Sequence, residues 1–404
     1  MKIAIIGGGA AGFFSAISVK ENYPDAAVVI FEKSNHVLSK VKISGGGRCN
    51  VTHACKSVDE LCEAYPRGGR KLKKIFHIFS NNDTMKWFGT RGVALTVQDD
   101  CCVFPVSQNS QSIINCFIKE SERLGIRIMK GCGVESVKPF ENDLELCFEN
   151  PKIIPEKFDK VIVTTGGSPK RDGLKWLEDL GHKIEDPVPS LFTFNMPEEP
   201  VTSLMGVVAD HVIINIRGTR LRSSGPLLIT HWGMSGPAVI NLSSYAARLL
   251  NEMNYNCKVQ VNWVHEANSE IVGEEIKKIA AANSAKMVAN YRPYSLPARL
   301  WVFLLEKCGL PGDITWGTLS NKGFNKLINV LTNDEYSVNG RTKFRDEFVT
   351  CGGVSLESVD MNTMQSKACG NLYFAGEVLD IDAITGGYNF QCAWTTAYIA
   401  GKLQ

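Results

Sequence analysis

The stretch KIAIIGGGAAGFFSAISVKEN, Lys2–Asn22, passes from a short apolar strand-like run through three spaced glycines into an apolar-faced helix. Gly7, Gly9 and Gly12 spell G-x-G-x-x-G, and each glycine has its own task. Gly7 permits a tight turn, Gly9 lets a pyrophosphate reach the backbone beside Ala10 and Ala11, and Gly12 lets helix pack against strand. The helix N-terminus then offers free N–H groups to the anion. The same glycines can also make a strand-to-helix corner that binds nothing, so the surrounding sequence has to decide.

Working outward, the next strand-like run, AVVIF, ends in Glu32, twenty residues beyond Gly12, with Lys33 after it. A carboxylate there accepts hydrogen bonds from ribose hydroxyls and repels a 2'-phosphate. VIVTTGG, Val161–Gly167, reads as a further strand that carries Thr165 and Gly166 to its end. The far terminus, Asn371–Gly401, reads as strand, glycine turn, polar loop and helix: Glu377 follows Gly376 at a strand end, and Gly386, Gly387 and Asn389 open the helix. Ligands of open parallel sheets bind at the carboxyl ends of the strands, so both ends of the chain are expected on one cleft of an α/β domain. GCGVES, Gly131–Ser136, has two glycines of a fingerprint but lies between the strand-like runs IRIM and VESV, and reads as a turn. With no second nucleotide fold, any second dinucleotide must bind transiently.

Composition narrows the classes. A chain of 404 residues supports two or three domains and a core that needs no disulfides. The formal charge of +2 implies no strong electrostatic partner. Thirteen scattered cysteines show no C-x-x-C, which argues against a zinc ribbon or a dithiol redox pair and for reduced thiols in the cytoplasm; no metal site is expected. The strand-like run at Lys2 leaves no room for a signal peptide, and no apolar stretch is long enough to span a membrane. SGGGRCN, Ser44–Asn50, admits three readings: a phosphate cradle, a redox cysteine on a loop, or backbone laid against a large planar ligand.

Further segments complete the pattern: KVKISGGGRCNVT (Lys40–Thr52), TTGGSP (Thr164–Pro169), THWGMSGPAV (Thr230–Val239), FVTCGGV (Phe348–Val354) and LYFAGEVLDIDAITGGYNFQCAW (Leu372–Trp394). On these, together with GGGAAG, the chain resembles FAD-binding proteins of the glutathione-reductase-like superfamily. More narrowly it is similar to the BaiN-like flavoproteins, also called the aminoacetone oxidase family or NAD(P)/FAD-dependent oxidoreductases. The resemblance implies an FAD/NAD(P)-binding Rossmann-like three-layer α/β domain at residues 1–190 and 345–404. A small β-barrel at 191–265 and 332–344 interrupts it, and a helical insert at 266–331 interrupts the barrel.

It also implies FAD along the residues above and Val134, with Ser44, Gly45, Gly47, Arg48, Cys49 and Asn50 on the flavin side. Asp382, Gly387, Phe390 and Gln391 join Gly376, Glu377 and Asn389 from the C-terminal string. On this reading Cys49 is structural, since Cys55 is too distant in sequence for the usual redox pair. Two positions depart from the family pattern: His53 stands where an asparagine is usual, and Ala383 where a glycine is common.

The residues themselves support the inserted parts. LFTFNM, HVIINIRG, PLLITHWG and CKVQVNWV, from Leu191 onward, alternate as short strands, whereas Ser269–Leu331 reads as helical. His231, at the end of a strand-like run, is a candidate general acid or a packing partner of Trp232. Tyr388 is a candidate proton donor or a cover for the ring. PRGGRKLKKIFH, Pro66–His77, packs five basic residues into eight positions, a solvated helix face or a seat for an RNA backbone or NADPH phosphate. Flavin-mediated hydride transfer between NAD(P)H and an unsaturated C=C or C=N substrate is the activity expected. An oxygen-using amine oxidase and a non-catalytic flavin module on ribosomal RNA are the alternatives. The substrate is a small molecule or an RNA uracil, and the sequence sets no oligomeric state.

Overall fold

The computed structural model describes residues 1–266, 268–341 and 349–404. Phe348 of the FVTCGGV motif and the expected domain joint at 344/345 lie outside the described residues. The chain divides into two compact units, Met1–Ser190 with Phe344–Gln404, and Leu191–Lys343.

The first unit is built on a seven-stranded sheet in the order Val359–Asp360, Gln365–Ser366, Leu372–Phe374, Lys160–Val163, Lys2–Ile6, Ala27–Glu32, Arg127–Lys130. The last five run parallel, with Ile6 opposite both Phe31 and Val163. Their near-continuous apolar runs fit strands covered on both faces, and Ile3, Ala4, Ile5, Val161 and Ile162 are fully buried. Helices Ala10–Asn22 and Tyr388–Ala400 form one covering layer. A meander of Val134–Phe140, Asp143–Phe148 and Glu156–Phe158 forms another, where Phe31 meets Phe148 at 5.1 Å and Phe158 at 5.7 Å. Gly131–Gly133 is the turn between strands Arg127–Lys130 and Val134–Phe140, as the sequence suggests. A Cβ on Gly12 would lie 1.9 Å from the Gly7 carbonyl oxygen, so the helix can settle on the strand only with glycine there.

Strand Ile184–Ser190 pairs antiparallel with Val349–Val354, which sets Ser190 opposite Val349. The chain therefore leaves the first unit and rejoins it at neighbouring positions.

The second unit holds a six-stranded antiparallel sheet, ordered Phe194–Asn195, Gly233–Ser235, Arg222–Thr230, Val208–Ile216, Asn256–Asn262, Asp334–Asn339. A bridge from Phe194 to Arg341 and the Asn195 N–H on the Gly340 carbonyl (3.1 Å) bring its first and last strands together as a nearly closed barrel. Helices Ser269–Ala282, Ala298–Lys307 and Asn321–Asn333 lie between its last two strands in sequence. Among the described residues no helix is long and apolar enough to cross a membrane, and all thirteen cysteines are free thiols.

Candidate cofactor site

A cavity of about 750 Å³ opens in the first unit at the carboxyl ends of its parallel strands. One end is the Gly7–Gly12 turn. Gly7 sits at φ +112°, where a Cβ would come within 2.5 Å of the Thr164 carbonyl oxygen. Gly9, at the helix N-cap, has nothing within 4 Å of where its Cβ would be, so its face is open to the cavity. No side chain caps this helix and its first turn holds no acid, which leaves the N–H groups beside Ala10 and Ala11 for a ligand. Glu32 lines the wall next to them with Lys33. Its Oε2 accepts the Gly8 N–H and its Oε1 the Ser34 N–H, both at 2.8 Å, which orients the carboxylate and leaves lone pairs for hydroxyl donors.

The other end is the SGGGRCN loop. The helical segment Ser39–Gly47 breaks at Ser44, and Gly45, Gly46 and Gly47 follow at φ +56°, +66° and +83°. Three successive left-handed residues strongly favour glycine, and around Gly46 and Gly47 no atom stands within 4 Å of a Cβ position. Ser44 and Gly45 line the cavity. Arg48 turns aside: its Nε donates to the Gly45 carbonyl at 3.2 Å and its guanidinium lies 4.1 Å over Phe104. Cys49 is fully buried at φ +64°.

Between the two ends, Lys40 and Glu377 pair at 2.7 Å from separate walls, and Glu377 also accepts the Thr350 N–H at 2.9 Å. Val134, Thr165, Gly166, Gly376, Asn389 and Phe390 complete the lining among the expected residues. Asn389 uses its amide on both the N–H and the carbonyl of Ala383, at 3.0 and 3.2 Å, so it faces the cavity while clamping the loop before its helix.

Other expected residues stand behind the wall. Asp382 is fully buried in an ion pair with Arg67 and accepts the Ser190 hydroxyl at 2.7 Å. Gln391 accepts the hydroxyls of Thr52 and Thr84 at 2.6 and 2.9 Å. With its amide in the orientation that satisfies both of its ends, the Asn50 nitrogen donates to the Thr52 carbonyl at 2.9 Å. Gly12, Gly47, Gly387, Arg48 and Cys49 are likewise outside the lining. Tyr388 stacks on His53 with centroids 4.6 Å apart, and the phenol of Tyr65 donates to its carbonyl at 2.6 Å. Burial pushes its own phenol well above the ordinary range. His231 lies in the second unit, exposed on a hairpin turn and edge-on to Trp232 at 4.4 Å. Lys40, Cys132, Gly133, Glu149 and Trp176 line the cavity without having been singled out in sequence.

A family model described as the HI0933-like protein Rossmann domain matches residues 1–403. The chain belongs to the HI0933-like family. This meets the resemblance carried by SGGGRCN and the C-terminal string. Across 99% of its length the chain is 26% identical to the 3-dehydro-bile acid delta(4,6)-reductase of Clostridium scindens, covering 98% of that protein. It is 27% identical to the ribosomal RNA dihydrouridine synthase of Haemophilus influenzae, over 98% of this chain and 96% of the other. A quinol-fumarate reductase solved with menaquinol molecules shares the fold at a TM-score of 0.50 and 13% identity, over 99% of this chain and 70% of that one.

Proposed function

We propose that the cavity holds FAD and that the chain passes hydride from NAD(P)H to an unsaturated substrate. The chain is an FAD-dependent oxidoreductase. The observation that carries the reading is one cavity with an uncapped helix N-terminus and an open Gly9 at one end, and a run of left-handed glycines at the other. That is the chemistry of a pyrophosphate seat joined to a surface that backbone can approach. The N–H groups beside Ala10 and Ala11 hold the pyrophosphate, Glu32 takes the ribose hydroxyls, and Lys40 adds a positive charge between them and the Gly45–Gly47 backbone. When bound, FAD supplies the capacity to take up and give back a hydride.

The two relatives' names both describe addition of hydrogen to a carbon–carbon double bond, which supports C=C reduction over amine oxidation. Whether that bond belongs to a small molecule or to a uracil in RNA turns on surfaces outside the cavity. Helix Gly69–Phe76 keeps Arg70, Lys71, Lys73 and Lys74 exposed, but Lys73 is paired with Asp59 at 2.5 Å and Arg67 with Asp382. Of the two proton-donor candidates His231 reaches solvent, whereas Tyr388 braces the wall.

Anaerobic stopped-flow absorbance at the oxidised-flavin band, with NADPH and then NADH, tests the reading. Rapid bleaching, followed by reoxidation on adding an enone or ribosomal RNA, is the expected result. A flavin that neither donor bleaches overturns the NAD(P)H-dependent reading.

A further inference from the structure

The cavity extends past Glu32 to the wall that begins at the turn before strand Val134–Phe140. The Cys132 N–H donates to the Glu32 carbonyl at 2.9 Å, so Cys132, Gly133 and Val134, which follow the neighbouring strand Arg127–Lys130, stand beside the end of the strand that carries the ribose-facing acid. The short helix Lys175–Asp179 packs on strand Val134–Phe140 and brings the half-buried Trp176 into the lining there. Leu174 and Leu177, buried in the core, anchor this helix, and Arg171 ties it further through Glu178 at 2.6 Å. Among the described residues Trp176 is the one tryptophan in the lining. The other large ring at this end, Phe31, is spent on Phe148 and Phe158 in the core.

We propose that Trp176 is the stacking platform for the adenine of the dinucleotide and the residue by which the protein selects FAD over FMN. The proposal rests on the FAD reading. Adenine is a flat base with two π faces, and a neighbouring indole covers one of them without consuming its hydrogen-bonding edge. FMN has no adenine, so Trp176 contributes nothing to its binding.

The test uses flavin-free protein and ADP, which carries adenine, ribose and pyrophosphate but no flavin to absorb tryptophan emission. ADP should produce a saturable change in tryptophan fluorescence in the wild type. Trp176→Phe should abolish that signal while calorimetry shows ADP affinity nearly unchanged. Trp176→Ala should weaken ADP and FAD roughly tenfold and leave FMN untouched. ADP that binds the wild type calorimetrically without altering its fluorescence, or binds Trp176→Ala as tightly as wild type, overturns the platform while leaving the FAD site intact. Failure of both ADP and FAD to bind the wild type overturns the cofactor reading as well.

Discussion

Cys49 sits in the most glycine-rich run of the chain, yet its thiol is sealed from solvent, and burial pushes it up to about 12, only partly offset by a hydrogen bond with Ser44. A thiol held there is not a nucleophile at neutral pH. Iodoacetamide applied to the folded protein at pH 8 should therefore spare Cys49 while alkylating the half-exposed Cys62, Cys101 and Cys147, as read by peptide mass mapping. Labelling of Cys49 at the rate of those three would reopen a redox role. His182 makes a second residue-scale case. Its Nδ1–H donates to the Leu177 carbonyl at 2.8 Å, which leaves Nε2 to accept the Ser366 hydroxyl at 2.7 Å, and burial lowers its pKa. The unfolded chain takes up this proton near pH 6.5, roughly, whereas the folded ring takes it up only at lower pH. Stability is thus intact above the unfolded pKa and is lost as pH falls below it toward the folded one. His53, lowered chiefly by burial, acts in the same direction. Urea midpoints should fall between pH 7.5 and 5.5, and His182→Gln should flatten that slope while lowering the plateau; an unchanged slope would show that His182 does not carry the effect.

At the scale of elements, the glycine turn separates folding from binding. Gly9 has φ −91° and open space beyond it, so Gly9→Val should cost the fold about 1 kcal/mol or less while filling the pyrophosphate seat and abolishing FAD retention. In Gly12→Ala the new methyl meets the Gly7 carbonyl oxygen, and a loss of about 1–3 kcal/mol of stability is expected before any ligand is considered. Thermal melts of the two apoproteins beside flavin content after gel filtration distinguish these outcomes; equal melting points would remove the assigned difference. Lys40 and Glu377 give a parallel contrast. An ion pair with one partner 56% exposed is worth about 0–1 kcal/mol, so Lys40→Met should barely move the melt yet release FAD more readily as its anion loses a cation. This is also where sequence reading divides. The turn and Glu32 were legible because their geometry is local, set by spacing within one strand, turn and strand. Asp382, Gln391 and Asn50 look like ligands in sequence because they are polar residues among glycines, but nothing local reveals that Arg67, Thr84 and Thr52 occupy them. Lys40, Glu149 and Trp176 went unmarked for the converse reason, since they become neighbours of the cavity only through tertiary pairing.

For the whole molecule, the decisive relation is between the two ends of the chain and what lies between them. The α/β fold and the barrel were readable from the switch between near-continuous apolar strands and alternating ones. What no local pattern shows is that strand Ile184–Ser190 finds strand Val349–Val354 across more than a hundred residues. That pairing makes a strong prediction. Ser190 stands opposite Val349, so a few glycines can bridge them in place of residues 191–348, much as a hairpin loop joins paired strands. Every described residue lining the cavity comes from the first unit, and the parallel sheet needs Leu372–Phe374 beside Lys160–Val163. The shortened protein should fold cooperatively and retain FAD with oxidised-flavin absorbance. It should lose substrate-dependent reoxidation if the second unit supplies His231 or the substrate's footing. Near-UV circular dichroism and flavin content report the first outcome, and anaerobic reoxidation reports the second. A shortened chain that folds but holds no flavin would mean that the first unit is not sufficient to bind the cofactor. One that still turns substrate over would relieve the second unit, and His231 with it, of any part in the chemistry.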